Sequence, residues 1–449
     1  MIFMYTYDIV IVGAGPCGIA CALSAADKDK HVALIEGGSN HTDRFCAVDA
    51  GEKCRNCKPC NVISGFGGCV HYGDSAKLSY FPSGKELKKK LGEDYDRIRD
   101  RACDFWNVDS QKDFASNAII AKDRSFTVKE YPVCVLGSNA IKQKINDWWQ
   151  EIQKKQIDYI NDEMIDFENK EDVFIVTLRD NKKLLCKKLV LAMGRQGAKW
   201  LRDNIVNMGI KFNDPISSMG LRFEMPKEYL LKLGKEHPDF KARVDRNKVK
   251  YKTFCFCAGT HGGRLKFTNY GDYTLLDGHV LTDCDVESDY ANFALLRQIV
   301  QQENVNANYH CFVNEILKNY HVICGGRPIF QSFIDFKKML SGNSVFPIST
   351  PCVKEGPVYE LIGETLNEYC DVAQEIFDYI AERNSITIEE LVSRVNVVGL
   401  ELEGLWDHII TDEKFMTNIE GLYFGGDCSG EAQGILQATM MGIKISESL

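Results

Sequence analysis

The alternation of apolar and polar positions at the start of the chain predicts a βαβ unit. Residues 7–12, YDIVIV, form a short β-rich run. A glycine loop, an apolar stretch through Ala26 and a second apolar run, HVALIE, follow it. Strands that alternate with a helical stretch are typical of a parallel sheet with crossover helices. Residues 40–84 lack such periodicity and are rich in Cys, Gly, Asn and Ser, so we expect an ordered functional loop there.

A second group of elements follows this loop. Apolar residues at helical spacing predict a helix over residues 138–155. The segments YINDEMIDF, DVFIVTL and LLCKKLVLAMG then predict a parallel strand followed by a β-meander that returns to the sheet. The end of this meander, near residue 195, is a candidate domain boundary.

The remaining chain predicts an insertion followed by a return to the first domain. Mixed short strands and turns occupy residues 200–345, and two amphipathic helical stretches follow. The last fifty residues repeat a strand–glycine–helix pattern. We therefore expect an α/β fold with a Rossmann-like domain in two parts, 1–199 and 346–449, around a β-rich substrate or cap domain at 200–345.

Composition narrows the class of partners. The net charge of −9 at pH 7 disfavours a nucleic-acid partner, because the average field repels a polyanion. No apolar run reaches the length of a membrane helix. We expect a cytoplasmic protein, and without a secretion signal its 18 Cys favour reduced thiols over a disulfide scaffold.

The glycine loop predicts a dinucleotide site. Gly13, Gly15 and Gly18 form G-x-G-x-x-G between the predicted strand and helix. This spacing permits a tight turn, close approach of the backbone to a pyrophosphate and close helix packing. Glu36, at the end of the second strand, is placed to accept the hydroxyls of an adenosine ribose. The neighbouring candidate cofactor contacts are Pro16, Cys17 and Gly37.

Two further motifs resemble those of the glutathione-reductase-like flavoprotein superfamily. TNIEGLYFGGDCSG, residues 417–430, resembles its second FAD signature, which implies FAD as the cofactor, a contact at Gly426, and Asp427 on the ribityl chain. LVLAMGR, residues 189–195, resembles the strand end that returns beneath the dinucleotide, which implies contacts at Ala192 and Gly194. In this chain Met193 replaces the usual Thr.

A closer resemblance is to FAD-dependent dehydrogenase-like proteins of bacteria and archaea. It rests on SGFGG, GDSAKL, SSMGLRFEMP, TFCFCAGTHGG and the terminal GEAQGILQATMMGIKISESL. The resemblance implies that paired glycines lie beside the flavin ring and that the last helix points its N-terminus at the pyrimidine end. The isoalloxazine contacts it implies are Gly67, Gly68, Gln433, Gly434 and Ile435. Relatives usually have small residues after the two glycines, whereas this chain has Cys69, Val70 and His71.

A cysteine cluster in the long loop is a candidate metal site. Cys54, Cys57 and Cys60 have two consecutive Cys-x2-Cys spacings, and Cys46 is the preferred fourth ligand. Such spacing occurs in iron–sulfur loops and in zinc sites. The alternative is a cysteine-rich loop that binds no metal.

Several other residues are candidates for chemistry. His71, beside the flavin loop, and His261, in a turn, are candidate proton donors or substrate contacts, while a solvated histidine is the alternative for His261. Cys255 and Cys257 alternate along a strand and could be redox-active, although two small core residues is the preferred interpretation. For Arg222 a structural salt bridge is preferred to substrate binding.

These patterns together predict an FAD-dependent oxidoreductase that transfers hydride to or from a small organic substrate. The chain has no second G-x-G-x-x-G and no Cys-x4-Cys pair near the flavin loop, which argues against the disulfide-reductase branch. Electrons would come from NAD(P)H, from a protein partner or from the substrate. A flavin-dependent monooxygenase and a non-catalytic flavin or metal redox sensor are the alternatives.

Overall fold

Two sheets, each covered by helices, carry most of the apolar residues of the chain. The computed structural model describes residues 4–70, 75–110, 126–282, 286–299, 309–341 and 347–449. The strands within these residues are, in chain order, β1 Met4–Val12, β2 Val32–Ile35, β3 Ala76–Ser79, β4 Thr127–Lys129, β5 Val133–Leu136, β6 Asp158–Ile160, β7 Met164–Lys170, β8 Val173–Leu178, β9 Lys183–Leu191, β10 Phe212–Asn213, β11 Ser218–Pro226, β12 Lys241–Arg246, β13 Val249–Cys257, β14 Gly263–Asn269, β15 Thr274–Val280, β16 Tyr290–Gln298, β17 Ile329–Ser332, β18 Lys354–Glu355, β19 Asn396–Glu403, β20 His408–Ile409 and β21 Leu422–Phe424.

The helices surround these sheets. They are α1 Pro16–Ala26, α2 Lys85–Leu91, α3 Tyr95–Trp106, α4 Ser138–Lys154, α5 Ala198–Asn204, α6 Lys227–Glu236, α7 Tyr309–Cys324, α8 Phe333–Lys338, α9 Tyr359–Ile362, α10 Leu366–Asn384, α11 Ile388–Val392 and α12 Ile435–Ser446. None of the helices in the described part of the chain is long and apolar enough to cross a membrane.

The first sheet confirms the predicted βαβ unit and meander. Its order is β6-β2-β1-β9-β8-β7, and β21 pairs with the end of β9. Five strands run parallel to one another, namely β6, β2, β1, β9 and β21. Strand β8 pairs antiparallel with β9, and β7 pairs antiparallel with β8. Parallel strands buried on both faces read as continuous apolar runs, which is the pattern of YDIVIV. Helices α1, α3, α4 and α12 cover one face of this sheet.

The second sheet has eight strands in the order β18-β17-β19-β11-β16-β13-β12-β4. Helices α6, α8 and α10 pack on one of its faces. The hairpin β14–β15 contacts β13, β16 and β19 of this sheet. Three of the strands, β4, β18 and β19, come from outside residues 200–345, so this sheet draws on a longer stretch of chain than the predicted insertion. The division into three segments stays a prediction.

Candidate active site

The glycine loop joins β1 to α1 in the tight turn expected for it. Gly13 has a φ of +105°, and a Cβ there would lie 2.3 Å from the carbonyl oxygen of Ala192. A Cβ on Gly18 would lie 1.8 Å from the carbonyl oxygen of Gly13. Gly15 differs, because the nearest atom to its Cβ would be the Cα of Gly68, 3.7 Å away. Gly13 and Gly18 are therefore required by packing, whereas Gly15 leaves a narrow gap between two backbones.

Glu36 is buried at the end of β2 and ties three loops together. Its Oε2 accepts a hydrogen bond of 2.9 Å from the amide of Ala14. Its Oε1 accepts bonds from the amides of Gly38, at 2.8 Å, and Gly65, at 2.9 Å. The carboxylate thus holds the glycine loop against the flavin loop predicted at residues 64–68. Its contact with a ribose remains a prediction.

Arg44 orders the flavin loop, and sequence reasoning missed it. Its side chain is buried. Nε donates to the carbonyl of Asn61 at 2.8 Å, and Nη1 donates to that of Phe66 at 3.0 Å. The remaining guanidinium bonds go to the carbonyl oxygens of Val62, Gly68 and Val70. A planar fork of five N–H donors suits a loop whose carbonyls converge on one point.

The C-terminal Gly-Asp motif lies on the other side of the same loops. Gly426 has a φ of +73°, and Asp427 follows β21. Arg195, at the end of β9, lies with its Nε 3.5 Å from Oδ2 of Asp427. The same guanidinium bonds Oδ2 of Asp277 on β15 at 3.0 Å. Arg195 therefore links the first sheet to the hairpin; it was present in the LVLAMGR motif but not singled out.

A single cleft collects most of the predicted cofactor contacts. It has a volume of about 400 Å³. The predicted residues that line it are Gly13, Gly15, Pro16, Cys17, Glu36, Gly68, Ala192, Gly194, Gly426, Asp427, Gln433, Gly434 and Ile435. Gly18, Gly37 and Gly67 do not line it. Gly18 serves helix packing, and a Cβ on Gly67 would meet the carbonyl oxygen of Val70 at 2.2 Å.

Two helix N-termini open on this cleft without a side-chain cap. Gly15 is the N-cap of α1 and Gly434 is the N-cap of α12. Uncapped amides and the helix dipole favour an anion at such an end. The glycine-lined gap and these two N-termini fit the phosphates and flavin of FAD.

The opposite wall of the cleft comes from the second sheet, from the hairpin β14–β15 and from neighbouring segments that include β3. Lys77 Nζ bonds Oδ1 of Asp239 at 3.1 Å, and the hydroxyl of Tyr131 donates to Oδ2 of the same carboxylate. Burial opposes ionisation of Asp239, but Lys241 and Lys77 hold the pKa of its carboxyl below the usual range. Lys77 belongs to the GDSAKL motif, so a sequence signal for it existed.

Phe254 and two lysines beside its ring also line this wall. The Nζ atoms of Lys241 and Lys252 lie 5.4 and 5.3 Å from the centre of the Phe254 ring. Burial lowers the pKa of Lys252. His279, which sequence reasoning also missed, lines the cleft and contacts the carbonyl of Ser75 at 2.8 Å. No motif pointed to it.

Of the two predicted catalytic histidines, the structure describes only His261. His71 lies outside the described residues. His261 sits in the turn between β13 and β14, where its Nδ1 lies 3.2 Å from Oγ1 of Thr260, and it does not line the cleft. Arg222 forms the expected buried ion pair, with Nε and Nη2 each 2.7 Å from a Glu401 oxygen. Burial alone would lower the pKa of Arg222, but Glu401 raises it well above its ordinary value.

The predicted metal centre at Cys46, Cys54, Cys57 and Cys60 is not supported. Within the described ranges, no group of three or more His, Cys, Asp or Glu side chains is arranged to hold a metal ion. Cys60 is buried beside Val62 and Ile63, whereas Cys54 packs against the hairpin side. Apolar contacts and the Arg44 hydrogen bonds hold this loop in shape.

Comparison with known proteins agrees with this architecture. Residues 7–199 match the family model described as pyridine nucleotide-disulphide oxidoreductase. No curated protein matches the chain.

Solved structures resemble the chain only distantly. The complex of CtdE with FAD and a substrate is 11% identical, with 99% of this chain and 80% of that chain covered at a TM-score of 0.39. A geranylgeranyl bacteriochlorophyll reductase-like protein from Thermoplasma acidophilum is 12% identical, with 99% and 78% covered at 0.39. A thioredoxin reductase from Gloeobacter violaceus is 12% identical, with 42% and 37% covered at 0.21.

The resemblance to the glutathione-reductase-like subtype stays a prediction. The match at residues 7–199 begins within β1, includes all of α1 and β2, and ends shortly after β9. Because these residues match an oxidoreductase family and form a Rossmann-like FAD-binding fold, we conclude that the chain is an FAD-dependent oxidoreductase.

Proposed function

We propose that the protein transfers hydride between bound FAD and an organic anion in the cleft between its two sheets. The observation that carries this proposal is the composition of the cleft. Its one wall has the FAD-motif glycines, and its other wall has Lys241, Lys252 and Phe254 of the second sheet. A cleft at the meeting point of two sheets, where polar groups converge, is typical of small-molecule binding.

The residues present fit FAD. Gly13, Gly15 and Gly68 would border the pyrophosphate, Glu36 the adenosine ribose and Asp427 the ribityl chain. Bound flavin supplies the electron-pair chemistry, and the protein supplies orientation and electrostatics. The side chains that face the cleft would exclude water and hold the substrate.

The second-sheet wall supports a substrate with a negative charge and a flat or apolar body. Phe254 offers an aromatic face, and the ammonium groups of Lys252 on the same strand and of Lys241 on the neighbouring β12 lie beside it. Lys241 also lies 3.7 Å from a carboxylate oxygen of Asp239, which restrains its position. A carboxylate next to an apolar group would satisfy both the lysines and the ring.

A matched pair of probes tests this substrate class. Cinnamate is an aromatic carboxylate, and cinnamamide is its uncharged analogue. We expect cinnamate to bind at least tenfold more tightly than cinnamamide, as measured by the change that each probe causes in the absorption spectrum of the bound flavin. Lys252→Met should abolish the difference, whereas Lys250→Met, an exposed lysine on the same strand, should preserve it. Equal binding of both probes to the unaltered protein would contradict the proposed charge preference.

The source of electrons is tested separately. Under argon, bleaching of the flavin by NADH or NADPH would identify a nicotinamide donor, whereas bleaching only by an organic substrate would identify a dehydrogenase. Product formation that requires oxygen would instead indicate a monooxygenase. Failure of reduced flavin to react with any acceptor, together with redox-dependent partner binding, would favour a sensor.

A further inference from the structure

Two cysteines of β13 are brought together at the edge of the cleft. The pairing of β13 with β16 shifts register between Phe254 and Cys257. Cys255, within this bulge, has a φ of +45°, an unfavourable backbone conformation for a residue with a side chain. As a result, the Sγ atoms of Cys255 and Cys257 lie 3.6 Å apart. Bulges and strained residues of this kind are enriched next to active sites.

The two thiols differ in access. Cys255 is half-buried and lines the cleft, whereas Cys257 is fully buried behind it. The Cys257 thiol lies 3.0 Å from the carbonyl of Cys255. One sulfur is therefore open to a reaction partner, and the other can act only on its neighbour.

Cations surround this pair. Lys77 Nζ donates to the carbonyl of Phe256, between the two cysteines, at 2.7 Å. Arg222 Nη1 donates to the carbonyl of Cys255 at 3.1 Å. A hydrogen bond from Cys257, with the charges of Lys77 and Arg222, lowers the pKa of Cys255 to about 6 against the effect of burial. Burial raises the pKa of Cys257, so Cys255 is the thiol of the pair that ionises first.

The pair is connected to the residues of the FAD motifs. Cys255 Sγ lies 3.6 Å from Oδ1 of Asp277. Asp277 bonds Arg195, which in turn lies beside Asp427. Cys17 also lines the cleft, but burial raises the pKa of its thiol, which makes it a poor nucleophile at neutral pH. Cys69 lines the cleft as an exposed thiol.

We propose that Cys255 and Cys257 form a redox-active dithiol that exchanges two electrons with FAD bound in the cleft. The inference rests on the proposed function in requiring that FAD binds there. In the oxidising direction the Cys257 S–H bond breaks and an S–S bond forms between Cys255 and Cys257. The electron pair and the proton from Cys257 pass to oxidised FAD, so that thiolate, thiol and oxidised FAD become disulfide and anionic reduced FAD.

The external partner of such a pair is a dithiol. A thiolate of the partner would attack Cys255, the accessible sulfur, and break the S–S bond. The partner's second thiolate would then release Cys255 by closing the partner's own disulfide. This exchange gives electrons a route to the flavin in a chain that has one dinucleotide fingerprint.

Counting electrons in the FAD-loaded protein tests the proposal. In an anaerobic dithionite titration after ferricyanide oxidation and gel filtration, the unaltered protein should take up about four electrons per FAD, two for the flavin and two for the disulfide. Cys255→Ser and Cys257→Ser should each take up about two. Cys324→Ser is the control and should keep about four, because Cys324 is a half-buried thiol outside the cleft whose bond to the Tyr320 carbonyl a serine can retain.

A mass measurement on the unaltered protein keeps the test independent of how well the serine variants fold. After ferricyanide oxidation and alkylation, the peptide with Cys255 and Cys257 should be unalkylated and lighter by two hydrogens. After reduction by dithiothreitol the same peptide should carry two alkyl groups. Dithiothreitol should also bleach the flavin in the unaltered protein but not in Cys257→Ser.

The outcomes separate this inference from the proposed function. An unaltered protein that takes up about two electrons per FAD, with the peptide alkylated throughout, would overturn the dithiol and leave the flavin function intact. Retention of about four electrons in both serine variants would also overturn it. A protein that binds no FAD would instead overturn the proposed function.

Discussion

The site residues that the sequence predicted best are those with a clear steric or electrostatic role of their own. A glycine triplet and an acid at the end of the next strand constrain the backbone directly, and Gly13, Gly18 and Glu36 lie where this logic places them. Arg44 and Arg195 were not predicted. Their roles depend on carbonyls and carboxylates that are distant along the chain and meet only after folding, so no local pattern marks them.

The first prediction concerns the two glycines that differ in their surroundings. Gly18→Ala should lower the free energy of unfolding by about 1–3 kcal/mol or more, because its Cβ would overlap the carbonyl oxygen of Gly13. Gly15→Ala should leave the FAD-free protein nearly as stable as the parent but weaken FAD binding at least tenfold, because its Cβ would enter the gap beside Gly68. Chemical denaturation and FAD titration measure the two effects. Equal loss of stability in both variants would contradict this assignment.

The second prediction concerns Arg44. Arg44→Met should lower the free energy of unfolding by about 3 kcal/mol and reduce FAD retention, because buried carbonyls of the flavin loop lose their donors. Arg55→Met is the control, since Arg55 lies in the same loop but is exposed, where it pairs with Glu52 and lies over the Phe45 ring. Its effect on thermal unfolding should be within about 0.5 kcal/mol. If the two variants unfold alike, the loop is not held by Arg44.

At the scale of elements, periodicity predicted the first sheet well and the second sheet poorly. The βαβ unit, the meander and α4 follow from local patterns of apolar residues. The second sheet brings β4 and β19 beside strands that are far from them in sequence, and nothing in the TVK segment of β4 indicates that partner. The described residues give the metal site predicted for the cysteine-rich loop no support, because spacing alone does not show which thiols are drawn into apolar packing.

The third prediction concerns the central strand β11. Burial raises the pKa of Glu224 to about 7, although the amide and hydroxyl of Ser349 oppose the shift by donating to its carboxylate. The contribution of the protonated Glu224 carboxyl to the stability of the folded protein is fully present below the ordinary pKa of a carboxyl group. It is lost as the pH rises through about 7. Relative to Glu224→Gln, the parent should therefore lose up to about 3 kcal/mol of unfolding free energy between about pH 5 and pH 8.

Urea denaturation across this pH range measures the effect of Glu224. Glu228→Gln, on the following helix, is an exposed control that should leave the pH profile of the parent unchanged. A parent and a Glu224→Gln variant whose stabilities run parallel with pH would contradict the assignment.

At the scale of the whole molecule, the two sheets meet at a charged contact in the cleft. Arg195 of the first sheet faces Asp277 of the hairpin at 3.0 Å and Glu403 of the second sheet at 3.9 Å. Asp427 lies on its remaining side. The arrangement explains why cofactor motifs and substrate wall share one cavity, a relation that the sequence could suggest only through a family resemblance.

The fourth prediction concerns this contact. Arg195→Met should cost about 3 kcal/mol of stability and weaken FAD binding, because it removes the cation that three neighbouring carboxylates share. Arg195→Lys, which keeps the charge, should recover part of both losses. Calorimetry and FAD titration measure them. Unchanged FAD affinity in Arg195→Met would show that the contact does not shape the site.

The central claim is that this cleft holds a redox-active flavin. Its most direct test is the absorption spectrum of the anaerobically purified protein after reconstitution with FAD and removal of free cofactor. The account predicts one FAD per chain, with the two visible bands of oxidised flavin that bleach on reduction and are lost in Gly15→Ala. A colourless parent protein that retains no FAD would contradict it.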